Sequence, residues 1–242
     1  MRITKDSFLL NKPIAHRGLW GNGVTENSLS AYLKAAERGY PIEIDLYLSK
    51  DGELFSFHDK TLLRMTGEKG FIYDKTAAEL KKLRLKGTDE TIPTFDEVLR
   101  ITEGKIPLLV EIKNQPDKTV VDKTVARLKS YRGEFAVQSF NPFYIARVKK
   151  LAPEFIRGIL ATDDENDLKK ENPVTRFVIK NMPLNGFIKP DFISYHYSGV
   201  PLPRKKTKDK AVLCWTVTSQ KIYDGIKPFC DNIIFEEFIP EQ

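Results

Sequence analysis

The 242-residue chain is poor in the residues that ligate soft metals, with two cysteines, three histidines and three methionines, and it has only two tryptophans. Cys214 and Cys230 fit no metal-ligand spacing, which excludes a thiolate centre. No stretch reaches the roughly 18 uninterrupted apolar residues of a spanning helix. The opening residues, MRITKDSFLLNKP, hold too short an apolar run for a secretory leader, and Lys5 and Asp6 stand just before it. A cytoplasmic protein with two partly buried thiols, and no disulfide, is therefore expected. Internal repeats and low-complexity segments are also lacking, so one domain over residues 1–242 is expected. With 41% hydrophobic and 30% charged residues, the chain reads as globular and soluble. Its length suits a single α/β barrel.

The net charge is +6 and the isoelectric point is about 9.1. An excess of this kind suits nucleic acid, a membrane surface or small anions. The densest basic run, PRKKTKDK at 203–210, contains Pro203 and Asp209 and reads as a solvated loop. A nucleic-acid surface would interleave aromatics with basic residues over a longer span. The expected partner is a small anionic molecule, with no nucleic acid and no stable membrane insertion.

Short apolar runs alternate with amphipathic helical stretches. The expected strands are 13–16, 42–48, 53–58, 106–112, 135–139, 156–160, 192–195, 212–217 and 232–235. Asn27-Ser28 caps a helix in which Leu29, Tyr32, Leu33 and Ala36 recur at helical spacing before Gly39 ends it. Thr94 caps FDEVLRITEG, and VVDKTVARLKS and NPFYIARVKKL read as further helices. Strand–helix alternation over this length predicts a parallel α/β sheet or barrel. Nine strands are one too many for a (β/α)8 barrel. The excess is explained by Lys50-Asp51-Gly52, which leaves no room for a helix between the second and third strands. Asp-Gly between alternating apolar residues predicts a hairpin. A two-residue loop would pair Lys50 with Glu53, Leu48 with Phe55 and Asp45 with His58. Residues 59–93, rich in turns and charge, then form an excursion over the catalytic rim.

Four other strand ends carry polar groups: His16-Arg17, Glu111-Ile112-Lys113, Gln138-Ser139 and Trp215-Thr216. The hairpin brings Asp45 and His58 together, with Glu43 one alternation away on the same strand face. Glu43, Asp45 and Glu111 would place three carboxylates near one rim. Three acids cannot share a pocket in ionised form without a cation. All-oxygen ligands suit Mg²⁺ or Ca²⁺ rather than zinc. His16 and His58 reach the same rim and suit acid and base work near neutral pH. Arg17 and Lys113 add fixed positive charge, and an arginine fork matches phosphate. This set suits displacement at an anionic phosphorus.

The motifs carrying these residues are AHRG (15–18), ENS (26–28), IEIDLYLSKDGELFSFHD (42–59), LLRMTGEKG (62–70), IPTFDEVL (92–99), EIK (111–113), QSFNP (138–142) and WTV (215–217). In this order and spacing the sequence resembles the glycerophosphodiester phosphodiesterase family, most closely from residue 13 to 113. The resemblance implies a (β/α)8 TIM barrel with a small insertion after the second strand. It implies metal-dependent hydrolysis of glycerophosphodiesters to an alcohol and glycerol 3-phosphate. His16 and His58 match the general acid–base pair; Glu43, Asp45 and Glu111 match the ligands of a divalent cation, Mg²⁺ or Ca²⁺. Arg17 matches the phosphate-contacting arginine and Lys113 the lysine of the site. Glu26 and Asn27 match a motif near the first histidine, with Glu26 placed among the substrate-binding residues.

The chain departs from the family pattern after WTV, where Thr218 replaces an asparagine, and in its last strand, where NIIFEEFIP offers Glu236 and Glu237. These departures bear on the alcohol pocket, which Trp215 is expected to line. A lysophospholipid or another phosphodiester is the alternative substrate, and a barrel that binds a phosphorylated ligand without catalysis is the alternative of another class. His196 is expected at the surface or behind the site. Tyr195, Tyr197, Phe140 and Phe143 are expected in packing.

Overall fold

The first strand, β1 (Ile14–Ala15), is two residues long, and its Ala15 pairs in parallel with Ile42 at the start of β2 (Ile42–Leu48). The computed structural model describes residues 2–169 and 171–241. They fall into two compact units, one of residues 15–135 and the other holding the rest.

In the first unit all seven residues of β2 are buried, as in a parallel strand covered on both faces. β2 pairs antiparallel with β3 (Leu54–Ser56) and parallel with β4 (Leu108–Ile112). The helix Leu29–Glu37 begins at Ser28, whose side chain accepts a hydrogen bond from the Ala31 amide. It buries Ala31, Tyr32 and Ala35, whereas Leu33, expected on the inner face, is exposed. The helix Phe95–Thr102 opens with a complete capping box between Thr94 and Glu97.

The hairpin corrects the expected register by one residue. Leu48 faces Leu54, Tyr47 faces Phe55 and Leu46 faces Ser56, so Asp45 lies opposite Phe57, whose amide donates to the Asp45 carbonyl at 3.0 Å. The two-residue turn expected for Asp-Gly needs positive φ at both positions, and only Gly52, at +90°, has it. The loop instead takes three residues, Lys50 to Gly52. The Ser49 amide donates to the Glu53 carbonyl at 2.8 Å, and the Ser49 hydroxyl accepts from the Glu53 amide at 2.9 Å. β3 stops at Ser56, two residues short of the expected end.

Residues 59–93 are not an irregular loop. They include the short helices Leu63–Thr66 and Ala77–Leu80, and their Leu62, Met65, Ile72, Leu80, Leu85 and Ile92 join Tyr47, Phe55 and Phe57 in one buried cluster. The excursion is thus anchored on the hairpin that precedes it.

In the second unit β5 (Phe135–Ser139), β6 (Arg157–Ala161), β7 (Phe192–His196), β8 (Ala211–Val217) and β9 (Asn232–Phe235) pair in parallel in that order. The Asn232 amide donates to the carbonyls of Phe8 and Lys12, which ties down the short helix Phe8–Asn11. Cys214 and Cys230 are free thiols, the first buried and the second partly so.

Candidate active site

At the end of β1 the chain makes a sharp turn through two left-handed residues, Arg17 at φ 58° and Gly18 at φ 83°. The Leu19 amide donates to the Ala31 carbonyl at 2.9 Å. A Cβ on Gly18 would lie 2.7 Å from the Ala31 carbonyl carbon. The group that approaches this glycine is therefore the backbone of the helix Leu29–Glu37. The turn aims the Arg17 amide at Glu43 Oε2, 3.1 Å away. The Arg17 carbonyl accepts from the amide of Asn27 at 3.0 Å, itself left-handed at φ 52°.

The pairing of β2 with β4 sets Asp45 beside Glu111 and Glu43 beside Leu109. Two-residue alternation then keeps Glu43 and Asp45 on one face. Glu43, Asp45 and Glu111 are buried, and one carboxylate oxygen from each lies within 4.8 Å of the others. Lys113 Nζ stands 2.8 Å from Glu111 Oε1 and 3.2 Å from Asp45 Oδ1. Arg17 Nε stands 3.6 Å from Asp45 Oδ2.

Two cations against three buried acids leave the cluster short of positive charge. Burial, Asp45 and Glu111 push the Glu43 carboxyl well above the usual range. Burial raises that of Glu111 against the pull of Lys113. Burial works in the same direction on Asp45, but Lys113, His58 and Arg17 hold it below the usual range. Burial would also lower Lys113, and its two carboxylate neighbours raise it instead. Asp45 Oδ1 is buried and makes no hydrogen bond, its one close cation among the described residues being the Lys113 ammonium at 3.2 Å. Three converging buried carboxylates set against two cations fit a hard divalent cation, which would complete the charge balance.

Asn27 and Tyr32 support Asp45 from behind. Asn27 Nδ2 donates to Asp45 Oδ2 at 3.0 Å, and Asn27 Oδ1 accepts from the Tyr32 hydroxyl at 2.6 Å. Ser56 Oγ lies 2.5 Å from that hydroxyl. On the other side, His58 Nδ1 meets Asp59 Oδ1 at 2.8 Å. Burial would raise the Asp59 carboxyl, yet hydrogen bonds from His58 and Arg64 hold it well below the usual range. An ionised carboxylate only accepts, so the Nδ1 position carries the hydrogen and Nε2 is left for chemistry. Burial and the Lys113 charge push His58 down to about 4. Glu26 accepts from Arg17 at 2.8 Å and from Arg64 at 2.7 and 2.9 Å, and these partners outweigh burial and keep its carboxyl below the usual range. His16 follows β1 directly, and its charge acts on Asp45.

His16, Arg17, Glu26, Glu43, Asp45, His58, Glu111 and Lys113 all belong to the first unit. Sequence reasoning gave no part to Asp59, Arg64, Tyr32 or Ser56. The signals were present in the His-Asp pair at 58–59 and in the quoted run LLRMTGEKG, which holds Arg64. Trp215 belongs to the second unit. There it meets the rings of Phe140 and His196 edge-on at 5.5 and 5.4 Å, and its buried Nε1 makes no hydrogen bond among the described residues. His196 is partly exposed, with Nδ1 2.7 Å from the Ser198 hydroxyl. Tyr195 is packed as expected, but Phe143 is exposed, because it falls on the outer side of its helix. Glu236 donates its amide to the Val217 carbonyl at 3.0 Å, and Glu237 is exposed.

The family model described as the glycerophosphoryl diester phosphodiesterase family matches residues 16–235. A glycerophosphodiester phosphodiesterase of Caldanaerobacter subterraneus is 38% identical over 161 residues, covering 61% of this chain and 65% of that protein. One of Bacillus altitudinis is 32% identical over 167 residues, covering 64% and 68%. Among solved structures, an Oleispira antarctica phosphodiesterase in complex with the product sn-glycerol-3-phosphate matches with a TM-score of 0.76. It is 25% identical, with 94% of this chain and 93% of that chain covered. A Parabacteroides distasonis glycerophosphodiester phosphodiesterase matches with a TM-score of 0.75 at 24% identity, covering 93% and 94%. These likenesses show the fold class to be α/β, the (β/α)8 barrel expected from the sequence.

Proposed function

The chain belongs to the glycerophosphoryl diester phosphodiesterase family, and from that premise we propose that it hydrolyses a glycerophosphodiester to an alcohol and glycerol 3-phosphate, using a divalent cation. The observation that carries this reading is the buried cluster of Glu43, Asp45 and Glu111, bordered by Arg17 and Lys113. Mg²⁺ or Ca²⁺ would be held by the three carboxylates, and when bound it supplies Lewis-acid stabilisation of charge on phosphate oxygens.

The chain's own residues do the rest. Arg17 and Lys113 bind the phosphodiester anion. Glu26 holds the Arg17 guanidinium in place, with Arg64 on its other side. His16 and His58 divide the two proton transfers, one taking a proton from the nucleophile and the other giving one to the departing alkoxide. Asp59 fixes the His58 ring so that Nε2 faces the exchange.

The test is phosphorus NMR on glycerophosphocholine, glycerophosphoethanolamine and glycerophosphoinositol, with Mg²⁺, with Ca²⁺ and with chelator. Glycerol 3-phosphate should appear from at least one substrate with metal, and its formation should stop in chelator. His16→Ala and His58→Ala should each lower turnover by about 10²- to 10⁴-fold. Release of free inorganic phosphate, or full turnover in chelator, would overturn the reading.

A further inference from the structure

The net positive charge of this protein is accounted for by one stretch. Residues 172–210 hold eight lysines and arginines against two aspartates, an excess of +6 that equals the net charge of the whole chain. Elsewhere the charges balance.

The same stretch carries large apolar side chains in water. Val174, Phe177 and Phe187 are 73%, 58% and 61% exposed. The helix Pro173–Asn181 has no buried residue, and its sequence PVTRFVIKN contains two basic residues and no acid. The helix Asn185–Ile188, which holds Phe187, packs against the helix Pro142–Leu151. From that neighbour Lys149 Nζ reaches over the Phe187 ring at 5.8 Å. Leu184, just before Phe187, and Leu202, just before the basic turn Arg204–Thr207, pack against one and the same buried cluster. The segment that carries Phe187 and the segment that leads into the basic turn therefore share one support, which also holds Met182 at the end of the helix bearing Phe177. Arg176 is engaged by Glu165, which leaves the remaining charge to Lys180, Lys189, Arg204, Lys205, Lys206, Lys208 and Lys210.

Exposed aromatics alone would suit any apolar partner, and lysines alone would suit any polyanion. Both together, on short helices with long basic side chains around protruding rings, match a surface that is apolar below and anionic at its rim. We propose that this face docks reversibly on an anionic lipid bilayer, with Phe177 and Phe187 entering the headgroup region and the basic residues facing lipid phosphates. The attachment is peripheral. Among the described residues no helix is long and apolar enough to cross a membrane.

The experiment is co-sedimentation of the full chain with phosphatidylcholine vesicles, with and without phosphatidylglycerol, over a salt series. Partitioning should be at least about tenfold stronger on the anionic vesicles and should weaken as salt rises. The pair Phe177→Ser and Phe187→Ser should lower it about tenfold. Lys205→Gln with Lys206→Gln should lower it similarly and flatten the salt dependence. Turnover of a soluble substrate should stay unchanged in both, which also shows that they fold. The salt series on the unmodified protein stands even if a variant does not fold. Equal binding to neutral and anionic vesicles would overturn the proposal. So would binding to single-stranded DNA that displaces vesicles and survives loss of the two phenylalanines. Lipid-free self-association abolished by Phe177→Ser would reassign the face to contact between copies.

Discussion

Arg64 and Glu26 meet in a two-pronged ion pair, Nη1 to Oε2 at 2.9 Å and Nη2 to Oε1 at 2.7 Å. The same guanidinium donates from Nε to Asp59 Oδ2 at 2.6 Å, and Asp59 Oδ1 holds His58. One residue of the excursion thus fixes two carboxylates that face the candidate site from different strand ends. Arg64→Ala should lower kcat by up to about 10²-fold through misplacement of His58 and Arg17. The melting temperature should move little, because an ion pair with a half-exposed arginine contributes little to stability. Arg64→Lys should recover only part of the loss, since an ammonium cannot make the two-pronged contact. Measured kcat, KM and melting curves of the three proteins decide this; wild-type kcat in Arg64→Ala would remove Arg64 from any positioning role.

Asn27 is the link between Tyr32 and Asp45, accepting from one and donating to the other. Removing it leaves Asp45 Oδ2 without this donor and the Tyr32 hydroxyl with Ser56. Supports of this kind behind a metal ligand typically change affinity by about 10- to 100-fold. Asn27→Ala should therefore weaken binding of Mg²⁺ or Ca²⁺ in calorimetry by that amount, although Asn27 is not among the three clustered carboxylates. Tyr32→Phe should have a smaller effect in the same direction. Unchanged affinity in Asn27→Ala would show that Asp45 is held well enough by Lys113 and Arg17.

Local patterns made much of this legible from the sequence. Apolar runs marked nine strands within a few residues of their observed ends, and strand alternation put Glu43 and Asp45 on one face. The hairpin register slipped because Asp-Gly fits both a two-residue and a three-residue loop. The Ser49 hydroxyl bond to the Glu53 amide, a tertiary detail of the loop itself, accompanies the longer one. Leu33 followed helical spacing, yet the smaller Ala31 and Ala35 face inward, and at Ala31 the close approach of Gly18 leaves room for little else. Arg64 could not be assigned because its partners lie 5 and 38 residues away, and no spacing rule joins an insertion helix to a turn after β1.

The capping box at Thr94 makes a pH prediction away from the site. Burial would raise the Glu97 carboxyl, but Lys81 and the Thr94 amide hold it below its usual value. A depressed folded value means stabilisation that is present above the unfolded value of about 4.5 and is lost as pH falls through the folded one. Melting temperature at neutral pH should drop in Glu97→Gln, and the gap from wild type should close as pH falls below that value. Thr94→Ala should cost about 1 kcal/mol, or about 2 to 4 °C for a chain of this size. A gap that stays constant down to strong acid would mean that Glu97 acts by packing and not by charge.

Gly18 and Gly21 separate two reasons for glycine within one turn. Both have positive φ, 83° and 98°, so alanine at either carries a conformational penalty of roughly 1 to 3 kcal/mol. Only at Gly18 does an added Cβ also meet backbone, the carbonyl carbon and oxygen of Ala31 at 2.7 and 2.8 Å, while at Gly21 it meets nothing within 4 Å. Backbone in a capped helix cannot swing away as a lysine tip would. Relief requires the turn to move, adding roughly 1 to 3 kcal/mol for overpacking. That movement pulls the Arg17 amide from Glu43 and the Leu19 amide from Ala31. Gly18→Ala should therefore melt several degrees below Gly21→Ala and lose metal affinity, while Gly21→Ala loses stability alone. Equal melting temperatures in the two variants would show that the penalty at Gly18 is only that of φ, and that the contact with Ala31 relaxes without disturbing the candidate site.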